Sequence, residues 1–226
     1  MGLKKVEVGR KMLHFIFGTV IPLGIFYLPL YAENKSWKAV AYWLYPSTIL
    51  AVFFVLFVAA EFLRRTVPAV AGLFGKWFSG VLRKEEAQKI TGATYICASS
   101  LICSIVFRNH PHISFMVIAA FIWGDAVAAL VGQSIGRTKI GSKTLEGSVA
   151  CFVLCLCFFG LVFPHVPFLL DAWNGSMPPA LAVMASLCIT ILELFPLRIM
   201  SRFEVNDNLL VPVVTGALMI FLYPYC

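Results

Sequence analysis

The chain has 226 residues, of which 60% are hydrophobic and 13% charged, with a mean hydropathy of +0.88; a soluble domain of this length cannot bury that much apolar surface, so one is excluded. The net charge of +7 comes from basic residues that flank apolar runs instead of covering a soluble face, which excludes a nucleic-acid-binding protein. Seven cysteines show neither zinc-finger spacing nor a secreted disulfide framework, and what remains is a single integral-membrane domain over 1–226.

The first apolar run, 12–31, follows a basic start as a signal peptide would. Its length, its His14 and Pro22, and its lack of a small-residue cleavage site mark it instead as a retained helix. Arg10, Lys11 and His14 lead into it. A second span covers 41–62, with Glu61 at its end and Arg64 one helical turn further on. The segment 66–90 is not a span. Val70, Leu73, Phe74, Trp77, Phe78, Val81 and Leu82 recur at helical spacing, while Gly72, Gly75, Lys76, Ser79, Gly80 and Arg83 fill the other side. This pattern predicts an amphipathic helix on the membrane surface, serving as an anchor or as one wall of a lipid-access gate.

Further spans are predicted at 92–107, 113–132, 148–163, 178–196 and 209–225. The runs 92–107 and 148–163 are short and need tilt or flanking residues to reach across. His110 and His112 flank Pro111 in what reads as an exposed loop, and 164–177 reads as an ordinary connection. With seven spans and the N-terminus inside, only Lys35, Lys38 and Arg108 of the 18 basic residues fall in outer segments. That asymmetry follows the positive-inside rule and predicts an all-α, polytopic bundle oriented N-in and C-out.

The polar residues inside this apolar chain carry the functional information. Asp125 lies within the fourth span, where a carboxylate is costly and calls for a function or a partner. A basic, Gly-rich loop follows, from Gly132 through Gly136, Arg137, Lys139, Gly141, Lys143, Thr144 and Glu146 to Gly147. Glycines let backbone N–H groups approach an anion, and Lys and Arg supply charge. The loop approaches a Walker A pattern, but Ser142 intervenes before Lys143 and a membrane helix precedes it, which argues against a P-loop NTPase. Glu61, Asp125, Glu146, Glu193, Asp207 and Asn208 collect at the inner face with Arg10, Lys11 and His14. Of the 11 acidic residues only Glu33 and Asp171 lie outside. Carboxylates for Mg2+, cations for phosphate oxygens and a dry cavity are the needs of phosphoryl transfer. Ordinary roles stand beside this one: a headgroup contact for His14, an ion pair for Glu61 with Arg64, and a helix-packing contact for Glu193.

Several ordered motifs resemble the polyprenol kinase family of dolichol kinases, phytol kinases and CTP-dependent diacylglycerol kinases. Arg10-Lys11-x-x-His14 opens the first span and Glu61-x-x-Arg64 closes the second. Arg83-x-x-Glu86 leads to Thr91-Gly92-Ala93-Thr94, and Gly124-Asp125-Ala126 precedes Gly132, Gly136 and Lys143-Thr144-Leu145-Glu146-Gly147. Glu193 is followed by Asn206-Asp207-Asn208-Leu209-Leu210-Val211-Pro212, where Asn206 departs from the second acidic residue expected there. The resemblance covers almost the whole chain. It implies transfer of a γ-phosphate, usually from CTP, to a lipid alcohol such as phytol, geranylgeraniol or dolichol at the cytosolic membrane face. It further implies a nucleotide site over Gly132–Gly147 with Arg10, Lys11 and Asn208, and Mg2+ on Asp125, Glu146 and Asp207. The catalytic group would be Asp125, Lys143, Glu146, Asp207 and His14, with Glu61, Arg83, Glu86, Thr91 and Glu193 as further polar site residues. The partners implied are a lipid alcohol, a nucleoside triphosphate and membrane lipids. The competing expectations are a phosphatidate cytidylyltransferase and a transporter.

Overall fold

A computed structural model describes the backbone of residues 5–34, 46–78, 90–195, 198–199 and 203–225, with side chains over 15–31, 46–76, 90–195 and 205–224. Among the described residues there are eight α-helices: α1 (Lys5–Asn34), α2 (Pro46–Thr66), α3 (Pro68–Phe78), α4 (Gly92–Val106), α5 (Pro111–Ser134), α6 (Leu145–Cys157), α7 (Pro179–Leu194) and α8 (Asp207–Leu222). Each of the seven predicted spans overlaps one of these helices, although 41–45 lies outside the described residues and 148–163 runs past the end of α6, and α3 covers the start of the predicted surface helix. Two short ribbons, β1 (Lys139–Ile140) with β2 (Lys143–Thr144) and β3 (Arg198–Ile199) with β4 (Phe203–Glu204), are antiparallel pairs in the connections after α5 and α7.

Three segments are long and apolar enough to cross a membrane: α2, α5, and Leu145–His165, in which α6 continues through a π-turn and a 3-10 turn. The apolar stretches Phe15–Tyr31, Gly92–Val106, Pro179–Leu194 and Asp207–Leu222 are shorter. A 16-residue helix rises about 24 Å, less than the roughly 30 Å of a hydrocarbon core. The two long helices differ in environment. The apolar window of α5 is 61% buried and that of α2 only 17%, so α5 is the central helix and α2 turns Phe53, Val55, Leu56 and Phe62 outward.

Helix α5 starts at Pro111, whose missing N–H costs nothing at a first helical position. Ser114 Oγ donates to the Cys103 carbonyl at 3.0 Å and joins the start of α5 to the end of α4. The other half of α5 packs on α6 through small residues. A Cβ added at Gly124 would lie 2.9 Å from Cys151 Sγ, and one at Gly147 would lie 2.5 Å from the Ala128 carbonyl oxygen. Small residues let two backbones approach this closely. Gly147→Ala is therefore expected to force the helices apart and to lower stability by about 1–3 kcal/mol, read as a fall in the melting temperature of the detergent-solubilised protein.

The end of the bundle where α5 begins is lined by aromatic rings. His112 packs edge-on to Trp173 at 5.1 Å, and His110 lies 4.8 Å from the Tyr223 ring. The expected exposed loop at His110 and His112 is thus corrected: the connection after α6 folds into 3-10 turns that bury Leu169, Leu170 and Trp173 against this corner. The amphipathic pattern predicted over 66–90 is helical through Phe78, and 79–89 lies outside the described residues. Leu73 is exposed, while Phe74 carries the Arg64 guanidinium 5.4 Å above its ring.

Candidate functional site

The opposite end of the bundle gathers the charged residues. Helix α5 ends at Ser134, and the chain returns into α6 through the β1–β2 ribbon. Gly141, at φ +60°, takes the left-handed conformation that a two-residue hairpin turn demands. Thr144 caps α6: its Oγ1 accepts from the Gly147 N–H at 3.2 Å. Lys143 is thereby fixed one residue before the cap, with its side chain directed toward the ends of two other helices.

Those ends supply carboxylates. Lys143 Nζ lies 2.5 Å from Glu193 Oε1, in the last turn of α7, and 3.1 Å from Asp207 Oδ2, the first residue of α8. Asp207 is placed by an N-cap: Asn206 Oδ1 accepts from the Asn208 N–H at 3.0 Å, and Asp207 Oδ1 accepts from the same N–H. Asp125 of α5 interacts electrostatically with both Lys143 and Glu193. Burial disfavours the Lys143 ammonium, but the charges of Glu193, Asp207 and Asp125 outweigh it and hold the Lys143 pKa above its ordinary value. Glu193 is only 2% exposed, and its second oxygen, Oε2, has no hydrogen-bond partner among the described residues. If all three carboxylates are ionised, one ammonium leaves them two charges short of neutrality.

The structure therefore brings Lys143, Glu193 and Asp207 into contact, with Asp125 in electrostatic range of the first two, and it treats the other expected residues differently. Glu146 accepts from the Thr138 N–H at 3.0 and 3.3 Å and fastens the loop backbone instead of meeting Lys143. The expected Mg2+ set of Asp125, Glu146 and Asp207 does not converge. Among the described residues, no three Asp, Glu, His or Cys side chains are grouped to hold a metal ion as they stand. Gly132, Gly136 and Gly147 do not line an open cradle either. Cβ atoms at Gly132 and Gly136 would lie 2.6 and 2.8 Å from the Thr144 side chain, so all three serve close packing around the cap. Gly141 faces open space, and Arg137 and Lys139 are exposed on the same loop. Asn208 is buried beside Asp207. The side chains of Arg10, Lys11 and His14 lie outside the described residues, as do Arg83 and Glu86 entirely.

Glu61 belongs to a second, separate cluster. It accepts from Arg64 Nε at 2.9 Å and the Thr91 N–H at 2.8 Å, pairs with Arg64 Nη2 at 2.6 Å and Arg65 Nη2 at 3.2 Å, and meets Thr94 Oγ1 at 3.4 Å. Glu61 and Arg64 are both buried. The bonds join the end of α2 to the start of α4, with the expected Glu61–Arg64 ion pair among them. Sequence reasoning placed Glu193 among secondary candidates. Its signal was the same as that of Asp125, a carboxylate in an apolar run, and its partner Lys143 lies 50 residues away in the chain.

No protein-family profile matches the chain, and no solved structure matches it. An uncharacterized protein of Rickettsia prowazekii is 25% identical over 154 residues, covering 66% of this chain and 68% of that protein. A protein of Glycine max described as "Probable phytol kinase 1, chloroplastic" is 25% identical over 148 residues, 62% of this chain and 46% of that protein. The chain thus spans under half the length of that relative. It is an apolar helical protein with a distant, partial similarity to a phytol kinase.

Proposed function

We propose that the chain is a multi-pass membrane kinase that transfers the γ-phosphate of a nucleoside triphosphate, CTP foremost, to the hydroxyl of a lipid alcohol of the phytol, geranylgeraniol or dolichol type. The observation that carries this reading is Lys143, held among Asp125, Glu193 and Asp207 from three different helices at one end of an apolar bundle. A packing contact between helices needs one polar pair; three carboxylates around one ammonium suit a site that handles phosphate charge. The seven spans and the N-in orientation belong to the same proposal. They set the site on the cytosolic side, where the nucleotide is, in agreement with the bias of basic residues toward that side.

In this reading the alcohol oxygen attacks the γ-phosphorus in line. The bond to the β–γ bridging oxygen breaks, the nucleoside diphosphate leaves, and the hydroxyl proton passes to water or to a carboxylate of the site. Lys143 neutralises oxygens of the transferring phosphoryl group, and Arg137 and Lys139 attract the triphosphate to the loop. The oxygen-only donor set, with its unpartnered Glu193 Oε2, fits a hard cation such as Mg2+. Glu193 and Asp207, whose oxygens already flank one cation, would hold it, and it would supply neutralisation of the triphosphate. Glu146 keeps the loop closed through Thr138, and the Thr144 cap sets the direction of Lys143.

The nucleotide product tests this proposal. The purified protein, given Mg2+, CTP and a lipid alcohol, is expected to release CDP in proportion to phosphorylated lipid. Release of pyrophosphate when phosphatidate is supplied, with CMP joined to the lipid, would replace the kinase by a cytidylyltransferase.

A further inference from the structure

We propose that Lys143 is a placeholder for a divalent cation: its ammonium occupies the gap between Glu193 and Asp207, and a cation that takes these carboxylates releases it toward the phosphates of an incoming nucleotide. The second half of this inference rests on the triphosphate reading of the site; the first half does not.

Lys143 Nζ sits 2.5 Å from Glu193 Oε1 and 3.1 Å from Asp207 Oδ2. An ammonium has three donors and no acceptor, so it can bind one oxygen of each carboxylate and cannot complete the set. The shortfall falls on Glu193, whose other oxygen is buried with no hydrogen-bond partner among the described residues. Buried carboxylate oxygens are ordinarily satisfied, and one that is not calls for a ligand. Asp125 adds a third negative group that acts on both Lys143 and Glu193. Carboxylate oxygens alone, from two helices, suit Mg2+ or Mn2+ and not a soft metal.

Among the described residues no three carboxylates are grouped to hold an ion, so the cation of this proposal takes the two that flank the ammonium, Glu193 and Asp207. An ammonium lies between them, and like charges exclude a second cation from the same place. The two partners also differ in freedom. The Glu193 side chain is 3% exposed on a helix, while that of Lys143 is 23% exposed on a two-residue strand beside the turn at Gly141. A four-carbon stem with a rotating ammonium can leave where a buried glutamate cannot. A cation alone must therefore displace Lys143 into solvent, and a triphosphate alone meets three carboxylates. Together each relieves the other: the cation takes the carboxylates and Lys143 takes phosphate oxygens. Linkage then makes their binding mutually cooperative.

The test measures Mn2+ bound to the purified full chain in detergent, from the electron paramagnetic resonance signal of the free ion, without nucleotide. Lys143→Met and Lys143→Gln are each expected to bind Mn2+ at least ten-fold more tightly than the wild type. Adding Glu193→Gln to either is expected to abolish that gain. Adding CTP to the wild type is expected to tighten Mn2+ at least ten-fold beyond Mn–CTP formation in buffer, and Lys143→Met is expected to lack this increment. Equal Mn2+ affinity in the wild type and both Lys143 variants, or a gain that survives Glu193→Gln, would overturn the placeholder. No CTP-dependent tightening in the wild type would overturn the displacement toward phosphate. The nucleotide-free arm is independent of catalysis, so failure of the kinase reading leaves its outcome interpretable.

Discussion

Lys143→Met is expected to lower phosphoryl transfer to a lipid alcohol by about 10²–10³-fold, the usual cost of removing one charged or hydrogen-bonding group aimed at developing transition-state charge. The loss should fall on kcat more than on KM for the lipid, because Lys143 meets the carboxylates of Glu193 and Asp207 and not an apolar surface. Methionine keeps the length and most of the stem, and the Thr144 cap that holds the loop does not involve Lys143, so the variant should fold. The pH dependence has a definite sign. The pKa of Lys143 is raised in the folded protein, so the ammonium persists to higher pH than an ordinary lysine and its favourable charge interactions are lost only as pH rises through that raised value. Between about pH 6 and 9, Lys143 should produce no falling limb in the rate profile. A kcat that fell in parallel with deprotonation of a group near pH 7–8, and that lost this limb in Lys143→Met, would contradict the assignment.

The largest effect on stability is expected at Glu61. Glu61→Ala removes the carboxylate paired with the buried Arg64, which is 6% exposed, and takes from the Thr91 N–H the oxygen that it donates to. Breaking a buried pair by deleting one member costs about 3–5 kcal/mol, because the other charge stays behind uncompensated. The contact of Arg64 over Phe74 softens this loss without replacing an anion. Arg65 also reaches Glu61, but it is 36% exposed, and Arg65→Ala should cost less than about 1 kcal/mol. Denaturant or thermal unfolding of the two variants side by side checks the contrast. Wild-type stability in Glu61→Ala together with lost turnover would move Glu61 from the frame of the bundle into the chemistry.

What the sequence made legible follows from which signals are local. Apolar runs marked seven of the eight described helices, because each run carries its own periodicity and ends at its own punctuation, as with Pro111 ahead of α5 or Asn206 ahead of α8. Asp125 stood out because a carboxylate is out of place among Trp123, Ala126 and Val127 whatever its partner. Lys143 stood out because it follows a Gly-rich turn. The partnership of Lys143 with Glu193 did not stand out. It is made across 50 residues by the packing of α7 beside α6, and nothing local to Glu193 separates a site carboxylate from a packing contact.

Glycine is ambiguous for a related reason. The same residue serves close approach to an anion and close approach to another helix. Gly132, Gly136 and Gly147 turn out to be of the second kind, pressed on Thr144 and Ala128, while Gly141 alone of the four faces open space on a positive φ. Glu146 is ambiguous because its position in the first turn of α6 suits two roles. A carboxylate there can face a ligand or bond to a neighbouring backbone N–H, and the Thr138 N–H claims it. His112 was read from the loop-like Pro111 beside it, yet Trp173 and Tyr223 cover it from segments far along the chain.

The most direct test of the account follows phosphate itself. Membranes or nanodiscs holding the wild type and Lys143→Met would be given Mg2+ and γ-labelled CTP, ATP or UTP, with phytol, geranylgeraniol, a dolichol or diacylglycerol as acceptor. The account predicts label in a lipid alcohol with the wild type, strongest from CTP, and a loss of about 10²–10³-fold in Lys143→Met. Label that never enters lipid from any of the three nucleotides, or that enters equally with both proteins, would contradict it.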